Sequence, residues 1–130
     1  MLEFLSSLEP ENFHARFDDP DKCYAFLAKE KWRDGFVCRN CGHTNYCRGR
    51  TPYSRRCTRC KKEESVKAHT IFHHCRIPIC EALEIVYQVC HNPGISSYRL
   101  SERMHKRQMT CWKLKKKVMD CLERRGLVNK

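Results

Sequence analysis

Cys38-Arg39-Asn40-Cys41 and Cys57-Thr58-Arg59-Cys60 are two Cys-x-x-Cys pairs separated by fifteen residues. At that spacing four thiolates can close on one tetrahedral zinc ion. Eleven cysteines in 130 residues would produce about one such pair by chance, but two pairs at this distance are far rarer. Gly42 follows the first pair and can take the positive φ that turns backbone amides toward sulfur. Asn45-Tyr46 and Tyr53-Ser54 flank Gly49-Arg50-Thr51-Pro52, which reads as a hairpin between the pairs. One zinc would staple a segment too small to fold on apolar burial, contributing on the order of 10 kcal/mol. With all four positions filled by sulfur the ion is structural and offers no site for an activated water. His43 and Cys47 stand close enough in sequence to compete as ligands. Cys23, Cys75, Cys80, Cys90, Cys111 and Cys121 lack partners at this spacing and are read as small core residues. His73-His74-Cys75 is a weak metal motif, because adjacent side chains seldom converge on one ion.

The thiols need a compartment that keeps them reduced. Met1-Leu2-Glu3-Phe4-Leu5 has no basic region and meets Glu9 before any long apolar run, so it is not read as a signal peptide. No uncharged apolar stretch reaches the roughly 18–20 residues that cross a bilayer. A cytoplasmic, nucleoid-associated location and no membrane partner are therefore expected. Charge divides the chain in three. Residues 1–34 carry 5 basic and 8 acidic side chains, net −3; residues 35–70 carry 9 and 2, net +7; residues 71–130 carry 12 and 5, net +7. All of the net charge of +11 therefore follows Asp34 and calls for a polyanionic partner rather than a small-molecule substrate.

The expected fold class is a small α+β protein. An N-terminal helical segment over 1–34 packs on a zinc ribbon of β-hairpins over 35–72, and a three-helix helix-turn-helix occupies 73–130. In the first segment Asp19-Pro20 supplies an N-cap and a first-turn proline, and Cys23, Phe26 and Leu27 make the apolar stripe. In the ribbon, Arg48, Arg50, Arg55 and Arg56 interleave with Tyr46 and Tyr53, a set suited to phosphate contact. In the third segment Pro78 opens a helix with Ile79, Leu83, Val86 and Val89 or Cys90 at helical spacing, ended by Asn92-Pro93-Gly94. Ser96 or Ser97 caps a short second helix with Leu100 and Met104 inward. A third helix runs to about Arg125, burying Cys111, Leu114, Val118, Cys121 and Leu122. Two short helices and a tight turn, the second helix basic, is the pattern of a major-groove reader. Its candidate DNA-contacting residues are Arg107, Gln108, Met109, Thr110, Lys113, Lys116 and Lys117, with Gln108 and Arg107 suited to adenine and guanine edges.

From Phe13, Arg16-Phe17, Cys23, Leu27, Trp32, Asp34-Gly35 and Val37-Cys38 through Cys41-Gly42, Tyr53, Cys57, Cys60, Ser65-Val66 and Thr70-Ile71-Phe72, the chain resembles the zinc-ribbon transposases of bacterial insertion sequences. The resemblance continues at Pro78, Gly94-Ile95-Ser96, Leu100 and Thr110-Cys111-Trp112. It implies zinc on Cys38, Cys41, Cys57 and Cys60, and recognition of the element's terminal repeats by ribbon and helix-turn-helix together. The sequence departs from the family at Arg39, where proline is usual, at Glu64, where an aromatic is common, and at His69 and His105, where glycine is common. Such transposases continue into a metal-dependent carboxylate domain, whereas here only four residues follow Gly126. The expectation is thus a non-enzymatic, sequence-specific binder of double-stranded DNA at element ends or promoters, able to act as a repressor. The N-terminal part of an active transposase, and a ribbon module for protein or RNA, are the competing readings; a protein partner or a homodimer stays open.

Overall fold

The structure, a computed structural model, describes residues 2–124. The chain forms two compact units, one of Met1–Asp18 with Cys75–Lys130 and the other Asp19–His74. The N-terminal segment expected over 1–34 is therefore divided between them. It holds three helices where one was read: α1 (Leu2–Ser7), α2 (Pro10–Arg16) and α3 (Pro20–Lys31). The first two join the helical unit and the third joins the ribbon unit.

In the ribbon unit α3 starts with Pro20 after an extended Asp19. The expected side-chain cap is not made. The Asp19 carbonyl accepts instead from the Cys23 amide at 3.1 Å. Cys23, Leu27 and Ala28 are buried along one face; Phe26 is half-buried. The sheet is short and antiparallel: β1 (Tyr46–Arg48), β2 (Arg55–Cys57) and β3 (Glu63–Glu64), in that order. The hairpin expected between the cysteine pairs forms with Tyr46 opposite Cys57 and Arg48 opposite Arg55. Its loop is longer than the four residues read as the turn, because the closing bond runs from the Gly49 amide to the Ser54 carbonyl at 3.1 Å. Strand β3 has no signature in sequence, since Lys61-Lys62-Glu63-Glu64 shows no apolar alternation. The ladder sets Arg55 opposite Glu64 and Arg56 opposite Glu63, and the Cys57 amide bonds the Lys62 carbonyl at 2.9 Å where the strand begins. The Glu63 carboxylate also accepts from the Arg50 amide at 2.9 Å. A Cβ on Gly49 would lie 2.6 Å from Glu63 Cδ and 2.8 Å from Ser54 Cβ, so this turn requires glycine.

The helical unit is organised by α4 (Ile79–His91). Ile79, Ala82, Leu83, Ile85, Val86, Tyr87 and Val89 are all buried, more than the single stripe of a surface helix, because α1, α5 (Ser97–Met104) and α6 (Gln108–Arg124) all pack on it. The N-terminal helices contribute Leu2, Leu5 and Phe13 to the core. The Phe13 ring stacks on Tyr87 at 4.2 Å, the Tyr87 hydroxyl donates to the Leu8 carbonyl at 2.7 Å, and His91 Nε2 donates to the Leu5 carbonyl at 3.0 Å. These contacts explain why α1 and α2 leave the ribbon: their apolar and carbonyl groups find partners on α4. On α6 Cys111, Leu114, Val118 and Leu122 are buried as expected, while Cys121 is only half-buried. Arg125 lies outside the described residues.

Ser96 rather than Ser97 caps α5, its hydroxyl accepting from the Arg99 amide at 3.1 Å. The helix ends at His105 in the left-handed region, φ +53°. His69 lies in the same region at φ +59°. The two positions where the resemblance led us to expect glycine thus keep the backbone that glycine favours, and histidine takes it at a steric cost. We expect His105→Gly to stabilise the helical unit by about 1 kcal/mol, read as a higher denaturant midpoint with an unchanged slope. A lower midpoint would show that the histidine side chain makes compensating contacts.

Candidate metal centre and basic surfaces

The two Cys-x-x-Cys pairs sit in two turns of closely matching geometry. The Cys38 amide donates to the His43 carbonyl at 2.8 Å and the Gly42 amide to the Cys38 carbonyl at 2.8 Å. In the second turn the Cys57 amide donates to the Lys62 carbonyl at 2.9 Å and the Lys61 amide to the Cys57 carbonyl at 3.1 Å. Gly42 at φ +79° and Lys61 at φ +67° occupy equivalent left-handed positions. Such turns aim successive amides at a sulfur: the Arg59 and Cys60 amides lie 3.4 Å and 3.5 Å from Cys57 Sγ.

The turns bring the four sulfurs together. Cys38 Sγ lies 3.5 Å from Cys60 Sγ, and Cys41 Sγ 3.6 Å from Cys57 Sγ. All four atoms are within 4.8 Å of one another. A tetrahedron with Zn–S bonds of about 2.3 Å has edges of about 3.8 Å, so these side chains fit the ion with little movement. Cys38, Cys41, Cys57 and Cys60 form the zinc-binding site, and neither competitor joins them among the described residues. His43 contributes its backbone, and Cys47 is exposed on β1.

The turn amides also prepare the thiols for a cation. The Lys62 amide and the Asn40 side chain lower the Cys60 pKa to about 6. At Cys57 burial works against ionisation, but the Cys60 and Arg59 amides outweigh it and lower the pKa. Cys41 takes the opposite course. The His43 amide favours its thiolate, yet desolvation and the neighbouring sulfurs push it up to about 11. Four thiolates cannot all be charged side by side without a metal, so the ion supplies the charge that completes the set.

Residues 18–63 match the transposase zinc-ribbon domain family. The match lies on the ribbon, which is similar to that family. Comparison with curated proteins and with solved structures returns no match.

Two departures from the family pattern meet at this ribbon. Glu64 Oε1 pairs with Arg39 Nε at 3.0 Å, and Glu64 Oε2 with Lys31 Nζ at 2.9 Å. The Lys31 side chain is 7% exposed and donates to the Ser65 carbonyl at 2.7 Å and the Ala68 carbonyl at 2.5 Å. Desolvation lowers its pKa while Glu64 opposes the shift. Glu64 therefore fastens the end of α3 to the strand that follows the second cysteine pair. Sequence reading passed over Lys31; the available signal was a pair of departures of opposite charge, Arg39 and Glu64.

The arginines of the hairpin separate into two kinds. Arg48, Arg50 and Arg56 are exposed. Arg55 is half-buried, its guanidinium 4.5 Å from the Trp32 ring centre and 4.1 Å from that of Tyr46, so it packs α3 against β1. On the helical unit Arg107, Gln108, Met109, Lys113, Lys116 and Lys117 are exposed and Thr110 is half-buried. Gln108 Nε2 donates to Ser97 Oγ at 3.3 Å, and the Arg107 carbonyl accepts from the Cys111 amide at 3.2 Å at the start of α6. Trp112, also 47% exposed, was not among the expected contacts. No helix among the described residues is long and apolar enough to cross a membrane.

Two outcomes follow for the ribbon. Elemental analysis should return about one zinc per chain, and Cys57→Ser should release it and unfold Asp19–His74. Most of the far-UV helical signal should survive, because five of the six described helices belong to the other unit. Glu64→Gln should cost about 2 kcal/mol of ribbon stability, since it leaves a buried ammonium without its charge partner; an unchanged zinc-dependent unfolding midpoint would contradict the role given to Glu64.

Proposed function

We propose that the protein binds double-stranded DNA sequence-specifically, through the ribbon hairpin and through α6. The observation that carries the reading is α6 itself, whose one face is buried while Arg107, Lys113, Lys116 and Lys117 are exposed. With α5 and the turn at His105, Lys106 and Arg107 it makes a helix-turn-helix whose second helix enters the major groove. The turn is braced from behind: Lys106 Nζ pairs with Glu81 of α4 at 2.8 Å, and Arg103 of α5 donates to Gln88 of α4 at 3.0 Å. Lys113, Lys116 and Lys117 hold phosphates, and Arg107 and Gln108 meet base edges. On the ribbon Arg48, Arg50 and Arg56 contact the backbone, while Arg55 holds the hairpin in shape.

Kinship to a transposase zinc ribbon supports nucleic acid as the partner and the ends of a mobile element, or a promoter derived from one, as the target. The proposed outcome there is occupancy, and hence repression, rather than cleavage. Four thiolates would leave zinc no open coordination position, and among the described residues the candidate metal-ligand group is the four cysteines rather than a cluster of carboxylates of the kind two-metal strand transfer needs.

Titration with duplex DNA at several salt concentrations tests this. Affinity should fall steeply with salt, and Lys113→Ala with Lys116→Ala should reduce the slope of log K against log salt by about 2. Arg48→Ala should weaken binding with little change in stability, whereas Arg55→Ala should lower stability first. Weak binding with a flat salt dependence would favour a protein partner instead.

A further inference from the structure

The outer face of α6 carries two apolar side chains that the fold does not use. Met109 is 60% exposed and Trp112 47%. At a separation of three residues they are neighbours on one face, and the burial of the opposite face fixes the rotation that presents them. Lys113 and Lys116, both exposed, lie one turn beyond each, and the Lys116 ammonium sits 5.2 Å from the Trp112 ring centre. Arg107 precedes them. The face thus carries an apolar pair with cations before and after it along the helix, and what covers it is matched by an apolar group at the pair and anionic groups beyond it.

Resting on the DNA-binding reading above, we infer that Met109 and Trp112 read thymine through its C5 methyl group. In the major groove that methyl is the apolar feature of a base edge, and phosphates border the groove where the cations stand. Three residues of helix advance about 4.5 Å, against about 3.4 Å for a base-pair step. The two side chains therefore address neighbouring pairs, and the target contains two adjacent thymines, on one strand or on both. Gln108 suits an adjoining A·T pair: its amide donates to Ser97 at 3.3 Å, and its oxygen and second N–H are the groups that would meet an adenine edge. An aromatic ring and a thioether give shape selection for a methyl without a buried polar group, so the discrimination rests on dispersion and desolvation.

The test uses the full chain loaded with zinc. A duplex is first enriched from random-sequence DNA, then remade with deoxyuridine in place of thymidine at one position at a time, which removes only the methyl. Binding by the unsubstituted protein should weaken about fourfold at each of two adjacent positions. Trp112→Ala should lose this discrimination at one of them and Met109→Ala at the other. Lys113→Ala should weaken both forms of the duplex equally and keep the discrimination. Equal affinity for the thymine and uracil duplexes, or full discrimination retained by both Trp112→Ala and Met109→Ala, overturns the inference while leaving DNA binding by α6 intact. Failure to enrich any duplex, or a lysine variant that binds as tightly as the unsubstituted chain, overturns the DNA-binding reading and the inference with it.

Discussion

A sheet whose strands are two and three residues long cannot persist through its own ladder, because so few hydrogen bonds do not repay the backbone entropy of ordering the chain. What holds Asp19–His74 in one arrangement is the convergence of four sulfurs from two turns. Each turn is closed by its own amide bonds and the two are linked by the Arg39–Glu64 pair and the β1–β2 ladder, but a shared cation is what joins the four sulfurs themselves. The strands, with Arg48 at the end of β1 and Arg50 in the loop after it, and the docking of α3 through Lys31 and Trp32 all follow from that closure. Ordinary core burial is a smaller contribution here, with Trp32, Phe36, Val66 and Phe72 among its main members.

The helical unit solves the same problem by other means. No further group of candidate metal ligands lies among its described residues, and it relies on α4, which is buried on most of its circumference. Recruiting α1 and α2 from the far end of the sequence covers the side of α4 that α5 and α6 leave open. The outer face of α6 is exposed, with Met109 and Trp112 on it, and on the DNA-binding reading proposed above it is the face that can vary without endangering the fold.

The zinc ligands were legible in the sequence because they depend on residue type and spacing alone. The hairpin, α3, α4, α5 and α6 were legible because turn residues and apolar periodicity mark them. Strand β3 was not, because Glu63 and Glu64 are held by the turn before them and by contacts with Arg50, Lys31 and Arg39, which local sequence pattern does not show. The assignment of α1 and α2 to the helical unit was also hidden, since their partner Tyr87 lies more than seventy residues away, and local periodicity says which face is buried but not against what. Arg55 shows the limit for charged residues: Arg48, Arg50, Arg55 and Arg56 look alike in sequence, yet one is inserted between Trp32 and Tyr46. His69 and His105 show the converse, where an unfavourable residue type keeps the conformation that position demands.

The charge of the ribbon has to serve two purposes at once. Zinc bound by four thiolates carries a formal charge of −2, and a dianion close to the surface proposed above to meet DNA would repel phosphates. Arg39, Arg59, Lys61 and Lys62 lie within or directly after the cysteine pairs, and the amides of Arg59 and Lys62 already stabilise thiolates. These cations offset the centre locally. Arg48 and Arg50 stand instead at the hairpin loop, where their charge is not spent on the metal. The net +7 of residues 35–70 therefore overstates what the ribbon offers a partner by roughly the charge of the centre. The sequence places Arg48 and Arg50 midway along the chain between the two cysteine pairs.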